Sequence, residues 1–207
     1  MLINLTFKVN LILHLCMRIT GGLASNIILK TPTGSTTRPA TDRLRESIFS
    51  SLGEQVKGAS VLDVFAGTGA YALEALSRGA EKAICIEKSR GVVLCIESNW
   101  ERVAKSAELK PHQLTILMRD ALPWEAAPNE QFDLILIDPP YPIWDEVAVR
   151  LLPRVAPWLK QNGLISIEHL SGLMPALPTG WEVLKTFGKG HKAPVATLCR
   201  VMCKTSA

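Results

Sequence analysis

The stretch Ser60-Val61-Leu62-Asp63-Val64-Phe65-Ala66-Gly67-Thr68-Gly69 decides how the rest of the chain is read. An apolar run rich in β-branched residues ends at Asp63 and passes into a turn holding two glycines. Helix formers then take over at Ala70-Tyr71-Ala72-Leu73-Glu74-Ala75-Leu76. That order predicts a strand, a tight turn and a helix. Glycines at 67 and 69 have no Cβ, so the backbone there takes positive φ readily and a ligand can lie against it. A turn of this kind opening onto a helix N-terminus is a general cradle for nucleotides.

The glycines alone do not say which nucleotide. Gly67-Thr68-Gly69-Ala70-Tyr71-Ala72 also fits the G-x-G-x-x-A form of the dinucleotide fingerprint, with Glu87 placed as its ribose-binding acid. Asp63 separates the readings. A dehydrogenase carries an apolar residue at that point, whereas a carboxylate suits a ligand with an ammonium group, such as the methionine end of S-adenosyl-L-methionine. The plainer alternative is an acidic strand cap beside a structural turn.

Downstream, Lys82–Glu87, Leu114–Met118, Phe132–Ile137, Leu164–Glu168, Trp181–Phe187 and Pro194–Met202 read as further strands. A helix is expected over Arg90–Lys105. The 144–159 segment has a helical pattern cut by Pro153 and Pro157, which predicts two short helices meeting near Leu152, the second ended by Gly163. Before the glycine turn, Leu44, Ile48 and Leu52 mark the apolar face of a helix capped by Thr41 or Asp42, with Arg43 and Arg45 pointing away from it.

Strands alternating with helices predict a mostly parallel α/β sheet covered on both faces, with ligands bound beyond the carboxyl ends of its strands. Asp63, Glu87, Asp120 and Asp138 all fall at those ends. Glu87 is placed to accept both hydroxyls of a ribose, and Asp120 to accept the exocyclic amine of adenine.

The run QFDLILIDPPY (131–141) adds a second signal. Consecutive prolines stiffen the backbone and remove two N–H donors, which leaves carbonyl oxygens for an incoming NH₂ group. Asp138 supplies a second acceptor, and Tyr141 can stack on a base. A planar amine is a poor nucleophile because its lone pair is delocalised into the ring. Two acceptors gripping its hydrogens favour the pyramidal geometry that attack requires.

Composition sets wider bounds. The 207 residues suit one sizeable domain; apolar residues are 47% and charged residues 20%, which supports a folded core. Lys and Arg (23) exceed Asp and Glu (19), and the resulting charge of +4 permits a polyanionic partner without requiring one. Cysteines at 16, 85, 95, 199 and 203 form no C-x-x-C pair and no zinc spacing, so no metal is expected and the thiols read as reduced and cytoplasmic. Residues 1–16 alternate like a strand and are too short and polar to span a bilayer or act as a signal core, with Met17 an alternative start. Residues 17–40 read as a hairpin-like extension and 41–207 as the main domain.

VLDVFAGTGAYALEALSRGA (61–80) together with FDLILIDPPY (132–141) resembles the class I S-adenosylmethionine-dependent amino-methyltransferases. With RITGG (18–22), RPATDRLRESIFSSL (38–52) and FGKGHKAPVATLCRV (187–201), the chain is similar to the RsmD family, bacterial 16S ribosomal RNA (guanine-N2)-methyltransferases. The resemblance implies a seven-stranded Rossmann-like fold and a guanine target in the small ribosomal subunit or its assembly intermediate. It implies that Asp63, Ala66, Gly67 and Gly69 contact the methionine half of the cofactor, Glu87 the ribose and Asp120 the adenine. Asp138, Pro139, Pro140 and Tyr141 would then hold the target amine. Arg38, Arg43, Lys189 and Lys192 are candidate RNA phosphate contacts, and a monomer is expected. One departure is that Ala24-Ser25-Asn26-Ile27 stands where the family has a basic stretch after Gly-Gly, which weakens the expected grip on RNA. The alternatives are another planar amine, such as adenine in DNA or a protein glutamine, an NAD-linked oxidoreductase, and a non-catalytic RNA-binding module.

Overall fold

The computed structural model describes residues 17–32, 39–174 and 176–202. The expectations for residues 1–16, Arg38 and Cys203 lie outside them.

Seven strands form one sheet: β1 (Ser60–Asp63), β2 (Lys82–Glu87), β3 (Leu114–Met118), β4 (Phe132–Ile137), β5 (Leu159–Leu170), β6 (Trp181–Phe187) and β7 (Pro194–Val201). Their order across the sheet is β3-β2-β1-β4-β5-β7-β6. The first five are parallel, and β7 runs antiparallel between β5 and β6. The reversal on either side of β1 makes its carboxyl end a switch point of the sheet. All four residues of β1 are buried, as a strand covered on both faces requires.

Because side chains alternate across a strand, the sheet separates two cores. On one face Val61, Cys85, Leu134 and Leu136 pack with Leu44, Ile48 and Leu52 of α1 (Pro39–Leu52) and Leu73 and Leu76 of α2 (Ala70–Ser77). Ile96 and Val103 of α3 (Arg90–Ala107) join the same core. On the other face Leu62, Ile84, Ile135 and Ile165 pack with Trp144, Val147, Leu151 and Val155.

Three local expectations are corrected. The 144–158 segment is one irregular helical run, in which a π turn over Val147–Leu151 leads into Leu152–Val155. The widened turn carries the chain past Pro153, which has no N–H to donate. Strand β5 starts at Leu159, before Gly163: Leu159 pairs with Phe132, and after a bulge Leu164 pairs with Leu134. Gly163 therefore sits inside a bulge, where the two-residue alternation is lost. Helix α1 begins at Pro39, so Thr41 and Asp42 lie in its first turn and do not precede it.

Arg45 departs most from expectation. It is 1% exposed and is turned inward onto Glu74 of α2, which is 0% exposed. Arg45 Nε lies 3.3 Å from Glu74 Oε2. Its Nη2 donates to Asp42 Oδ1 at 3.1 Å and to the Arg18 carbonyl. Arg78 Nε donates to Glu74 Oε1 at 2.7 Å, while the Thr20 N–H and Oγ1 donate to the same carboxylate, each at 2.7 Å. A buried carboxylate thus clamps the extension, α1 and α2 together. The extension holds itself by an isolated bridge between Arg18 and Ile28 and is laid across the end of α2, where Leu23 N–H donates to the Ser77 carbonyl at 2.8 Å. Gly22, at φ 78°, passes so close that a Cβ there would come within 2.0 Å of that carbonyl oxygen.

Removing one partner of a buried charge pair costs about 3–5 kcal/mol, because the other charge is left without compensation. Glu74→Ala is expected to lose roughly that much in urea unfolding, whereas Arg43→Ala, on an exposed position of the same helix, loses under about 0.5 kcal/mol. Equal losses for the two variants would show that the clamp does not hold the extension.

Candidate active site

The carboxyl ends of β1, β2 and β4 open onto a cleft of about 550 Å³. Its walls bring together Ala66, Gly67, Glu87, Asp120, Asp138, Pro139, Pro140 and Tyr141, eight of the ten residues proposed from sequence for cofactor and catalysis. The glycine turn and the double proline thus face one space.

Within the turn the two glycines do different work. Gly67, at φ 52°, lines the cleft, and a Cβ on it would find no atom closer than 3.9 Å. Gly69, at φ 77°, does not line it; a Cβ there would come within 2.9 Å of Ile96 Cγ2 on α3. The first keeps the cleft wall bare, and the second lets α3 close against the turn. Asn99 fastens the turn from behind, its Nδ2 donating to the carbonyls of Thr68 and Lys30, each at 3.0 Å.

Asp63 is also set back from the cleft. It is 1% exposed and its Oδ2 accepts the Ala72 N–H at 3.1 Å, so it braces the first turn of α2. Burial pushes its carboxyl up from 3.8 to about 7; the Ala72 N–H and Arg45 pull it down and Glu87 pushes it further up. Glu87 stands in the wall with both oxygens directed, Oε2 accepting from Gly67 N–H at 3.2 Å and Oε1 from Ser89 N–H at 2.8 Å. Asp120 is exposed at the cleft margin and accepts the Leu122 N–H at 3.0 Å.

At the other wall, Asp138 is half-buried, Pro139 buried and Tyr141 exposed. Burial drives the Asp138 carboxyl well above its ordinary value, and the nearby Glu168 and Asp63 carboxyls add to it. The Pro140 carbonyl already accepts the Ile143 N–H at 3.0 Å. The Asp138 side chain and the Pro139 carbonyl are therefore the acceptors best placed for an amine.

Met17, Arg45, Tyr71 and Glu168 also line the cleft and were not among the residues read from sequence as its wall. Glu168 carried the same signal as Asp138, an acid closing an apolar strand. Met17 and Arg45 arrive through folding of the extension and α1, which no local pattern shows. Of the basic residues, Arg43, Lys189 and Lys192 are exposed. Lys189 and Lys192 lie in the loop joining β6 to β7. That loop lies beside the end of β5, since Pro194 pairs with Leu170 and Ser171 N–H donates to the Ala193 carbonyl at 2.9 Å.

The raised Asp63 carboxyl has a signed consequence. A folded value above the unfolded one means stability that is full below 3.8 and is lost as pH rises through about 7. Asp63→Asn keeps an acceptor for Ala72 and removes the titration. It is expected to match the wild type near pH 4 and to exceed it at pH 8, by at most about 4 kcal/mol at 1.4 kcal/mol per unit. A variant less stable than the wild type at pH 8 in urea titration would contradict this.

The cleft and its sheet have counterparts. Residues 17–195 match the family model described as conserved hypothetical protein 95. The chain is 32% identical over 170 residues to ribosomal RNA small subunit methyltransferase D of Escherichia coli K12, covering 81% of this chain and 82% of that one. It is 35% identical over 156 residues to YlbH of Bacillus subtilis strain 168, covering 74% and 82%. The solved structure of yhhF from Escherichia coli superposes with a TM-score of 0.74 at 28% identity, covering 91% of this chain and 99% of that one. With a matching model over most of its length, the same seven-stranded sheet and these relatives, the chain belongs to the RsmD family, described as conserved hypothetical protein 95.

Proposed function

We propose that the chain methylates the exocyclic N2 of a guanine in 16S ribosomal RNA of the small subunit, with S-adenosyl-L-methionine as donor. The observation that carries this reading is the shared cleft, in which the bare Gly67 wall faces Asp138-Pro139-Pro140-Tyr141.

The residues present fit such a cofactor. The volume lies in the usual range of ligand pockets, about 300–1,000 Å³. A Cβ at Gly67 would stand in open space at the wall, and the carboxyl groups of Glu87, Asp120, Asp138 and Glu168 line the cleft, with Arg45, Lys88 and Arg119 as its cations. When bound, the cofactor supplies an electrophilic methyl group on a sulfonium. Ala66 and Gly67 would lie along its methionine half, Glu87 would accept its ribose hydroxyls and Asp120 its adenine amine. Asp63 and Gly69 act from behind, by setting the turn.

Asp138 and the Pro139 carbonyl accept the two hydrogens of the target amine and turn its lone pair out of the ring plane. Asp138 then takes the proton that the methylated amine must lose. Tyr141 stacks on the guanine, which has to leave its own stack to enter the cleft. Alignment of two reactants can be worth about 7–11 kcal/mol, so holding the base in line supplies much of the rate. Arg43, Lys189 and Lys192 provide phosphate contacts, and Arg38 is a further candidate from the sequence. Among the described residues no helix is long and apolar enough to cross a membrane and no cluster has metal-ligating composition. We place the protein in the cytoplasm as a monomer, with 17–40 as its extension and 41–207 as its methyltransferase domain.

Mass mapping of small-subunit RNA from a strain lacking the gene is expected to show one N2-methylguanine missing, restored by the wild-type chain. Purified protein should methylate small subunits and leave naked DNA untouched; methylation of DNA would move the reading to an adenine amine. Asp138→Ala should lower turnover on small subunits by about 100-fold or more with unchanged affinity for S-adenosylhomocysteine. Loss of that affinity would place Asp138 in cofactor binding instead.

A further inference from the structure

A second acid stands beside Asp138. Ile137 of β4 pairs with Ile167 of β5, so the next residues outward, Asp138 and Glu168, leave neighbouring strands side by side. Both line the cleft, and with Tyr71 and Ser166 they also enclose a small void next to it. Glu168 is 4% exposed, and the Tyr71 hydroxyl donates to its Oε2 at 2.8 Å. Asp63 lies on the same sheet face, paired with Leu136 two residues behind Asp138.

The charges around this pair are unbalanced. Asp63 comes from β1 and Glu87 from β2, both acidic. The strand opposite Glu168 contributes the uncharged Ala196. His169 is engaged elsewhere, with Nε2 2.9 Å from Thr197 Oγ1 and its ring against Trp144. The cation that reaches the cleft from α1, Arg45, is already held by Glu74 and Asp42. Lys88 and Arg119 also line the cleft, after β2 and β3, but both are exposed. Carboxylates therefore outnumber cations at the cleft floor, and a desolvated pair of acids in such a setting shares a proton.

We propose that Glu168, held by Tyr71, forms with Asp138 a proton-sharing dyad that reads the charge of the bound cofactor. The dyad gives up its proton to solvent when a sulfonium cation enters and keeps it when the neutral thioether enters. Glu168 is a positioning residue, acting through Asp138. The inference rests on the cofactor reading above.

The environment sets the order of ionisation. Burial raises Glu168, but the Tyr71 hydrogen bond and Arg45 both favour its anion. Asp138 has burial, Glu168 and Asp63 all acting upward, so the shared proton resides mainly on Asp138. A positive charge nearby favours the ionised form. Asp138 is thus freed to accept an amine hydrogen when the methyl donor is present, and is blocked when the spent cofactor occupies the cleft.

Isothermal titration calorimetry of the full chain at pH 7, in phosphate and in Tris, counts the protons exchanged on binding. For the wild type, S-adenosylmethionine should release about one proton and S-adenosylhomocysteine close to none. Glu168→Gln should reduce the release, because Asp138 loses the neighbouring carboxyl that helps hold its proton while burial and Asp63 still act on it. Tyr71→Phe, which removes the donor to the Glu168 anion, should shift the release to higher pH. Equal proton release with both ligands in the wild type, or a full release surviving in Glu168→Gln, would overturn the dyad while leaving the cofactor reading intact. If neither ligand binds, the cofactor reading fails and the dyad with it.

Discussion

The in-phase pairing of parallel strands is the constraint on which the site depends. Asp63 pairs with both Cys85 and Leu136, and Leu136 pairs with Ser166. Two residues farther along β2, β4 and β5, on the same face, come Glu87, Asp138 and Glu168. A slip of one residue in any of these pairings would turn its acid to the other core. The register therefore concentrates negative charge at one edge, and the chain turns at 66–69 and 138–141 meet there. The desolvation of these acids is the energetic cost of the arrangement, seen in the raised carboxyls of Asp63 and Asp138.

A second set of contacts ties this edge to the N-terminal extension. Glu74 sits on the helix that follows the glycine turn, and it holds Thr20, Arg45 and Arg78 at once. On the other side of the turn, Asn99 holds Lys30 and Thr68, its Oδ1 accepting the Lys30 N–H at 2.7 Å. Thr68 also donates to Met17 Sδ at 3.1 Å. The extension is thus anchored at both ends to elements that shape the cleft wall. This explains a close backbone approach at Gly22 that a side chain would prevent, and it gives the RITGG segment a structural task independent of RNA.

Much of this was legible because its signals are local. Strand runs ending in acids, the glycine turn and the double proline each occupy a few adjacent residues, and their meeting follows from right-handed parallel topology. What escaped depends on contacts far apart in sequence. Arg45 reads as a surface cation at a helix start, yet its partner Glu74 is 29 residues away. Pro153 and Gly163 read as helix stops, but a π turn and a bulge absorb them, choices made by packing against the sheet. Asp63 reads in the sequence as an acceptor for a ligand ammonium group; in the structure its carboxylate accepts the Ala72 N–H and does not line the cleft. Glu168 closes the strand read at Leu164–Glu168, as Asp138 follows its own strand, but only the pairing of β5 with β4 shows that the two acids stand side by side.

The most direct test of the account is a crystal structure of the chain with S-adenosylhomocysteine bound. The ribose should lie on Glu87, the adenine beside Asp120, and the sulfur should point across the cleft to Asp138 and Pro139. A ligand seated away from the Ala66–Gly69 turn, or with its sulfur turned from the double proline, would contradict it.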